Sequence, residues 1–303
     1  MVPDVSVVIV SYRVPELLRA CLASVRREAA GSSYEVIVVE NASGDGSAAM
    51  VRDEFPDVRL IALEQNIGFA AGSNLGARAA TGGHILLLNP DTELVGDTFA
   101  ALLRYARANP CAGLVGGRTL TPSGDLDPGS CWGAQSIWSL VCFASGLSTL
   151  LKGSRVFNPE ALPGWRRDTP RQVDIVTGCL CLAPRAVWDE LGGFDEAFFM
   201  YGEDADLAAR ARTLGYRPAI TPDAVIIHHV GQSSPSAAKR VMTLRCRVAL
   251  ARKHLTPRRA AVAVALLHAG TGLRALAASV ARRKGSTWAA AWRRRDDWRE
   301  GYA

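Results

Sequence analysis

The sequence predicts an α/β protein, a doubly wound, mostly parallel sheet flanked by helices, and three observations carry that prediction. Four apolar, β-branched runs recur within the first 91 residues, the pattern of strands buried on both faces of a parallel sheet. The intervals between them have helical spacing, as βαβ units require. Each run also ends in polar residues, and ligands of such sheets sit beyond the carboxyl ends of the strands.

Taken in order, "VSVVIVSY" (5–12) is the first strand, and "PELLRACLASVRRE" follows with Leu17, Leu18, Cys21, Leu22 and Val25 on one helical face. "YEVIVVEN" (34–41) is the second strand, followed by a helix over 46–54. "VRLIALE" (58–64) and "GSNLGARAA" (72–80) give a third strand and its helix, and "HILLLNPD" (84–91) the fourth strand. After "GLVGGRTL" (113–120) a Gly- and Ser-rich stretch to about 170 offers no pattern to assign. "VDIVTGCLCLAPRAVWDELGGF" (173–194) reads as strand, turn and short helix, and "YRPAITPDAVIIHHVG" (216–231) as two short strands. A basic helix is expected over 240–256. The apolar stretch 260–281 is interrupted by His268 and Arg274 and is marginal against the ~20 apolar residues of a spanning helix. It reads as a surface-lying or core helix, its contact being lipid, a second subunit in a homodimer, or its own core.

With 49% hydrophobic and 21% charged residues over 303 positions, the chain is of ordinary globular type. Seven cysteines in no zinc-type spacing read as reduced thiols of a cytosolic protein, and "MVPDVSVVIVSY" lacks the basic region of a signal peptide. From Lys239 onward the chain carries 16 Lys and Arg against 3 Asp and Glu, a balance of +13. The whole chain is +6, so residues 1–238 balance at −7. A basic tail on an acidic body suits an anionic membrane surface. A nucleic-acid partner is set aside because 239–303 contains no recognised binding module.

The first strand-to-helix turn, "SYRVPE", has no glycine, which excludes a dinucleotide-binding turn. A P-loop, a nucleophile elbow and a Ser-His-Asp arrangement are equally absent from the strand ends. What stands there is acidic or amide: Glu40, Asn41 and Asp45 after the second strand, Asn89 and Asp91 after the fourth. Asp45 also reads as a helix N-cap. Asp91, fixed behind Pro90, suits Mg²⁺ or Mn²⁺ held by few carboxylates with diphosphate and water completing the shell. In "FFMYGEDADLAARARTLGY" (198–216) aromatics and Met abut Glu203, Asp204 and Asp206 at the start of a helix, as in a pocket that gathers carboxylates.

The segments "VSVVIVSYR", "VVENASGDGS", "NIGFAAGSNLGARAATGGHILLLNPDTEL", "VTGCLCLAPRAVWDELGGFDEAFFMYGEDADLAARARTLGY" and "IIHHVGQSS" occur in this order. Together, over residues 3–250, they resemble the family 2 glycosyltransferases of GT-A fold, and most closely their bacterial rhamnosyltransferase branch. The resemblance implies a catalytic domain over 1–238, with a nucleotide-sugar half to about 120 and an acceptor half beyond, and a basic helical extension over 239–303. It places Ser11, Tyr12, Arg13, Glu40, Asn41, Asn66, Gly68, Phe69, Gly72, Asn74 and Asn89 on the nucleotide. Glu40 stands where the family has Asp, and Asn89 replaces the first acid of the family's Asp-x-Asp motif, leaving Asp91 to hold the metal. His228, with Gly231 and Ser233, matches a loop closing on the donor diphosphate or metal. Asp204 matches the catalytic base with Glu203 beside it, and Gly178 and Tyr201 lie on the acceptor side.

The reaction so implied is inverting transfer from a nucleoside diphosphate sugar, dTDP-L-rhamnose by resemblance, to a glycan or polyprenyl-diphosphate-linked glycan in surface polysaccharide synthesis. The protein would work in the cytoplasm at the inner face of the membrane. Other deoxysugar, hexose or galactofuranose donors stay open. A nucleotidyltransferase would need a Gly-rich basic loop after the first strand, which "SYRVPELL" lacks. A membrane-docked scaffold would have no use for both Asp91 and Asp204.

Overall fold

The computed structural model describes residues 2–28, 33–229, 236–282 and 285–302. In chain order the elements are β1 (Val5–Ser11), α1 (Pro15–Glu28), β2 (Tyr34–Glu40), α2 (Ser47–Glu54), β3 (Arg59–Ala62), α3 (Phe69–Ala79), β4 (His84–Leu88) and β5 (Thr92–Val95). There follow α4 (Thr98–Ala108), β6 (Val115–Leu120), β7 (Cys131–Trp132), α5 (Ile137–Ala144), α6 (Leu147–Leu150), β8 (Arg171–Gln172), β9 (Ile175–Val176) and β10 (Leu180–Pro184). The chain ends with α7 (Arg185–Leu191), α8 (Glu203–Thr213), β11 (Ala219–His228), α9 (Ala237–His254), α10 (Pro257–Val280) and α11 (Thr287–Arg293). Two compact units result: one of 1–132, 166–199 and 203–230, the other of 133–165, 200–202 and 231–303.

The first unit is the predicted α/β body. Its sheet runs β3-β2-β1-β4-β10-β6-β11-β5, with β8 added beside β11. The first four strands are parallel, as their buried β-branched runs require, and every residue of β1 is buried. β10 enters antiparallel between β4 and β6. Under the sheet, Val7, Ile9, Val38, Leu86, Leu88 and Leu182 pack with Leu18, Leu22 and Phe99 of the covering helices.

One sequence expectation is corrected, and one unassigned stretch gains an element. Residues 216–231 were expected to form two strands, but a single strand, β11, spans the described part of that segment. Pro222 breaks the hydrogen-bonding pattern instead of ending the strand: the register with β6 shifts between Ile220 and Val225, leaving the intervening residues against Gly117. A Cβ on Gly117 would lie 2.4 Å from the Ala224 carbonyl oxygen, so the bulge fits only against glycine. The stretch without an assignable pattern contains α5, started by a capping box in which Ser136 and Ser139 bond each other's amides.

In the second unit, Leu140 and Phe143 of α5 share a core with Val241, Leu244 and Val248 of α9, Leu267 of α10, and Trp298. Trp298 is fully buried, donates from its indole to the Ala291 carbonyl at 2.9 Å, and lies 4.5 Å from the His268 ring. All seven cysteines are free thiols, and only Cys111 is exposed.

Candidate active site

Three groups of side chains meet the sheet's carboxyl edge. The first surrounds the ends of β1 and β2. Ser11 is fully buried, and its hydroxyl has no partner. Tyr12 is exposed, and Arg13, at φ +58°, lays its guanidinium 5.0 Å from the Tyr12 ring centre. The Arg13 amide donates to Ser43 Oγ at 2.9 Å, and the Ser43 amide donates to Glu40 Oε1 at 2.8 Å. Glu40 is buried at the strand end and lines a recess with Asp45, Arg52 and Glu64.

Several of the residues expected at the nucleotide also hold the framework of this edge. Asn41 accepts from the Ile67 amide at 2.9 Å and donates to the Gly68 carbonyl at 3.2 Å. Asn66 accepts from the Gly68 amide at 2.9 Å. Gly68 has φ +86°, and a Cβ there would stand 2.4 Å from the Phe199 carbonyl oxygen. That same oxygen accepts from the Phe69 amide at 2.8 Å. Gly72 lets α3 approach Val10 closely. Asn74 clamps the loop before α8, accepting from the Phe194 amide and donating to the Phe194 carbonyl, both at 2.9 Å.

The second group lies where β5 and β11 run antiparallel. The Thr92–His228 register and the His229 amide, which donates to the Asp91 carbonyl at 2.9 Å, bring the end of β11 against Asp91. His228 Nε2 lies 3.4 Å from Asp91 Oδ1, and its Nδ1 lies 3.1 Å from Asp127 Oδ2. Burial by itself lowers the His228 pKa, but the hydrogen bonds to Asp127 and Asp91 overcome it and raise the value to about 9. Burial pushes Asp127 up, yet His228 and the Gly129 amide together hold it below the usual carboxylate range. Arg167, buried with φ +54°, adds its positive charge to Asp127. His229 pairs instead with Glu93 at 2.7 Å. Asn89 shapes the approach: its carbonyl accepts from the Thr92 hydroxyl at 2.7 Å. Gly231 and Ser233 lie outside the described residues.

The third group opens α8. Glu203 is buried and its Oε2 has no partner, while Asp204 is half-buried. Burial, then the neighbouring Asp204 charge, pushes the Glu203 carboxyl well above its ordinary value. Burial also raises Asp204, against the amides of Ala205 (2.7 Å) and Gly178, which donate to it. Gly178, expected on the acceptor side, therefore meets Asp204 through its amide. Asp206 pairs with Arg210 at 2.8 Å, one turn on, and supports the local fold. Tyr201 belongs to the second unit, at φ +68°, with Lys239 Nζ 5.9 Å from its ring centre.

Asp127 and Arg167 were not found by sequence reasoning. Asp127 sits in "GDLDPGS", where its Oδ1 caps the Gly129 amide at 2.9 Å, so locally it reads as a turn residue. Only the return of β11 beside β6 brings His228 to it.

A parallel-sheet edge bearing a buried carboxylate, an Asp–His pair and a second carboxylate pair defines a site for acid–base work beside a polar ligand. The family model described as glycosyl transferase family 2 matches residues 6–161, and the chain belongs to that family. It is a glycosyltransferase. The N-acetylglucosaminyl-diphospho-decaprenol L-rhamnosyltransferase of Mycobacterium tuberculosis (strain ATCC 25618 / H37Rv) is 29% identical over 243 residues, covering 75% of this chain and 76% of that protein. The O-antigen biosynthesis protein RfbC of Myxococcus xanthus is 28% identical across 76% of this chain but only 18% of its own length. Among solved structures, the mannosyltransferase PcManGT of Pyrobaculum calidifontis, in complex with GDP-Man and Mn²⁺, superposes with a TM-score of 0.57 at 22% identity. That match covers 96% of this chain and 86% of PcManGT, and it establishes the GT-A-like fold.

Proposed function

We propose that the protein is an inverting, divalent-metal-dependent rhamnosyltransferase that moves L-rhamnose from dTDP-rhamnose to a polyprenyl-diphosphate-linked glycan. The observation that carries this reading is the pairing of two separate acidic centres at one sheet edge, Asp91 with His228 and Asp204 with Glu203. The rhamnosyl donor and the lipid-linked acceptor are supported by the likeness to the M. tuberculosis rhamnosyltransferase.

The residues fit a divalent ion. His228 Nε2 and Asp91 Oδ1 lie 3.4 Å apart, close enough for both to contact one ion. Among the described residues no group of three His, Cys, Asp or Glu is placed to hold a metal by itself, so an ion there would also need oxygens from the donor diphosphate and water. A bound ion there would neutralise charge on the departing diphosphate. Asp91 and His228 are the residues that would hold it.

The chain's own residues do the rest. Glu40 and the recess beside it receive the nucleobase, whose imide N–H donates to the carboxylate. Asp204 accepts the proton of the acceptor hydroxyl as that oxygen attacks the anomeric carbon from the face opposite the diphosphate. Its raised pKa makes it a stronger base than an exposed aspartate. Burial pushes the Glu203 carboxyl beside it well above its ordinary value, which disfavours a second negative charge there. Buried Phe198 excludes water, the competing acceptor.

The direct test supplies purified protein with dTDP-rhamnose and a polyprenyl-diphosphate-linked N-acetylglucosamine, with and without Mn²⁺ or Mg²⁺, and follows the product by mass. Metal-dependent addition of one deoxyhexose supports the reading. Transfer from another donor alone, or unchanged transfer in chelator, sinks the donor or the metal part respectively.

A further inference from the structure

Helix α10 has two faces of opposite fate. Ala260, Ala263, Leu267, Thr271, Ala275 and Ala278 are buried, and the helix packs on α5, α9 and α11. On the other side Val262, Ala265, Ala269, Leu273, Leu276 and Val280 are exposed, at steps of three or four that align them in one stripe. Val262 is 49% exposed, Leu273 48%, Leu276 61% and Val280 77%, which is unusual for side chains of this size. At 1.5 Å per residue the stripe is about 27 Å long. Exposed arginines stand at both of its ends, Arg258 and Arg259 before it and Arg282 after it.

We propose that this stripe seats α10 flat in the headgroup region of an anionic lipid bilayer, apolar side chains inward and the flanking arginines on lipid phosphates. The helix has the length and composition to cross a membrane. Crossing would, however, strip its other face of the core it belongs to. That face carries His268, stacked 4.5 Å from Trp298, and Arg274, which donates to the Phe143 carbonyl at 2.6 Å and lies 4.0 Å from the Phe143 ring centre. An exposed apolar stripe on a helix packed along its other face marks a membrane or partner surface. Charge selects lipid over a second copy of this chain. The segment from Lys239 onward carries +13, which repels its own image and attracts an anionic surface.

The inference goes beyond the transfer reaction and is tested without substrate. The full chain is floated with vesicles of phosphatidylcholine alone and of phosphatidylcholine with phosphatidylglycerol. It is expected to float with the anionic vesicles, to be released by salt, and to remain in solution with the neutral ones. The L273S/L276S/V280S variant, altered only at exposed positions, should lose about tenfold or more in vesicle affinity with an unchanged circular dichroism spectrum. R258E/R259E should lose binding to anionic vesicles in particular. The proposal is overturned if the wild-type chain ignores anionic vesicles, or if both variants bind as it does. A dimer in sedimentation velocity that L273S/L276S/V280S dissociates, without vesicle binding, overturns it in favour of a second copy.

Discussion

His228 Nδ1 stands 3.1 Å from Asp127 Oδ2, on the side of the ring away from Asp91. A carboxylate behind an imidazole fixes the ring's orientation and tautomer and makes its other nitrogen a better donor to a metal. Asp127→Asn should therefore weaken Mn²⁺-dependent binding of dTDP by about 10–100-fold, the usual cost of losing such a partner. Calorimetric titration with and without Mn²⁺ reads it directly. Equal loss of metal-free binding would mean that Asp127 supports the fold alone.

On the proposed mechanism Asp204 meets only the acceptor. Asp204→Asn should then lower kcat by about 10²–10⁴-fold, the span of general-base contributions, while dTDP affinity stays within about twofold. Single-turnover transfer and nucleotide titration separate the two. A matching fall in nucleotide affinity would move Asp204 to the donor side.

The body of the fold was legible because it is local. The runs at 5–12 and 34–41 hold enough consecutive β-branched residues to declare doubly buried strands, and both are found as such. β11 was misread because Pro222 and Asp223 look like a turn, and only the pairing with β6 shows the strand continuing past them. The carboxylates at 40, 91 and 203–204 could be singled out because strand ends and a helix start mark them. Asp127 could not, since its neighbours describe a turn and its partner lies 101 residues away in sequence. Asn74, singled out with the nucleotide group, proved to have its amide engaged by the 193–196 loop, a long-range contact with no sequence signature.

Gly68 joins a left-handed conformation to a close backbone approach. Its φ of +86° is costly for any other residue, and an added Cβ would fall 2.4 Å from the Phe199 carbonyl oxygen. Gly44 shares the positive φ, +65°, but has open space around it. Gly68→Ala should cost about 3 kcal/mol or more in urea unfolding, and Gly44→Ala about 1 kcal/mol. Similar losses at both sites would show that conformation alone, without the Phe199 contact, sets the requirement.

Glu203 gives the fold a pH dependence of its own. Its carboxyl is buried without a partner for Oε2 and lies beside Asp204, so the folded chain favours the protonated form. Between the ordinary value of 4.5 and the raised folded value, the folded state binds more protons than the unfolded state. Stability from this group therefore falls as pH rises through that window. Glu203→Gln keeps the shape and removes the charge, so the variant's Tm should match the wild type near pH 4 and exceed it increasingly as pH rises toward neutrality. Thermal unfolding across that range measures the difference. A constant offset at all pH values would mean that folding leaves the Glu203 carboxyl at its ordinary value, and would remove the raised acid from beside Asp204.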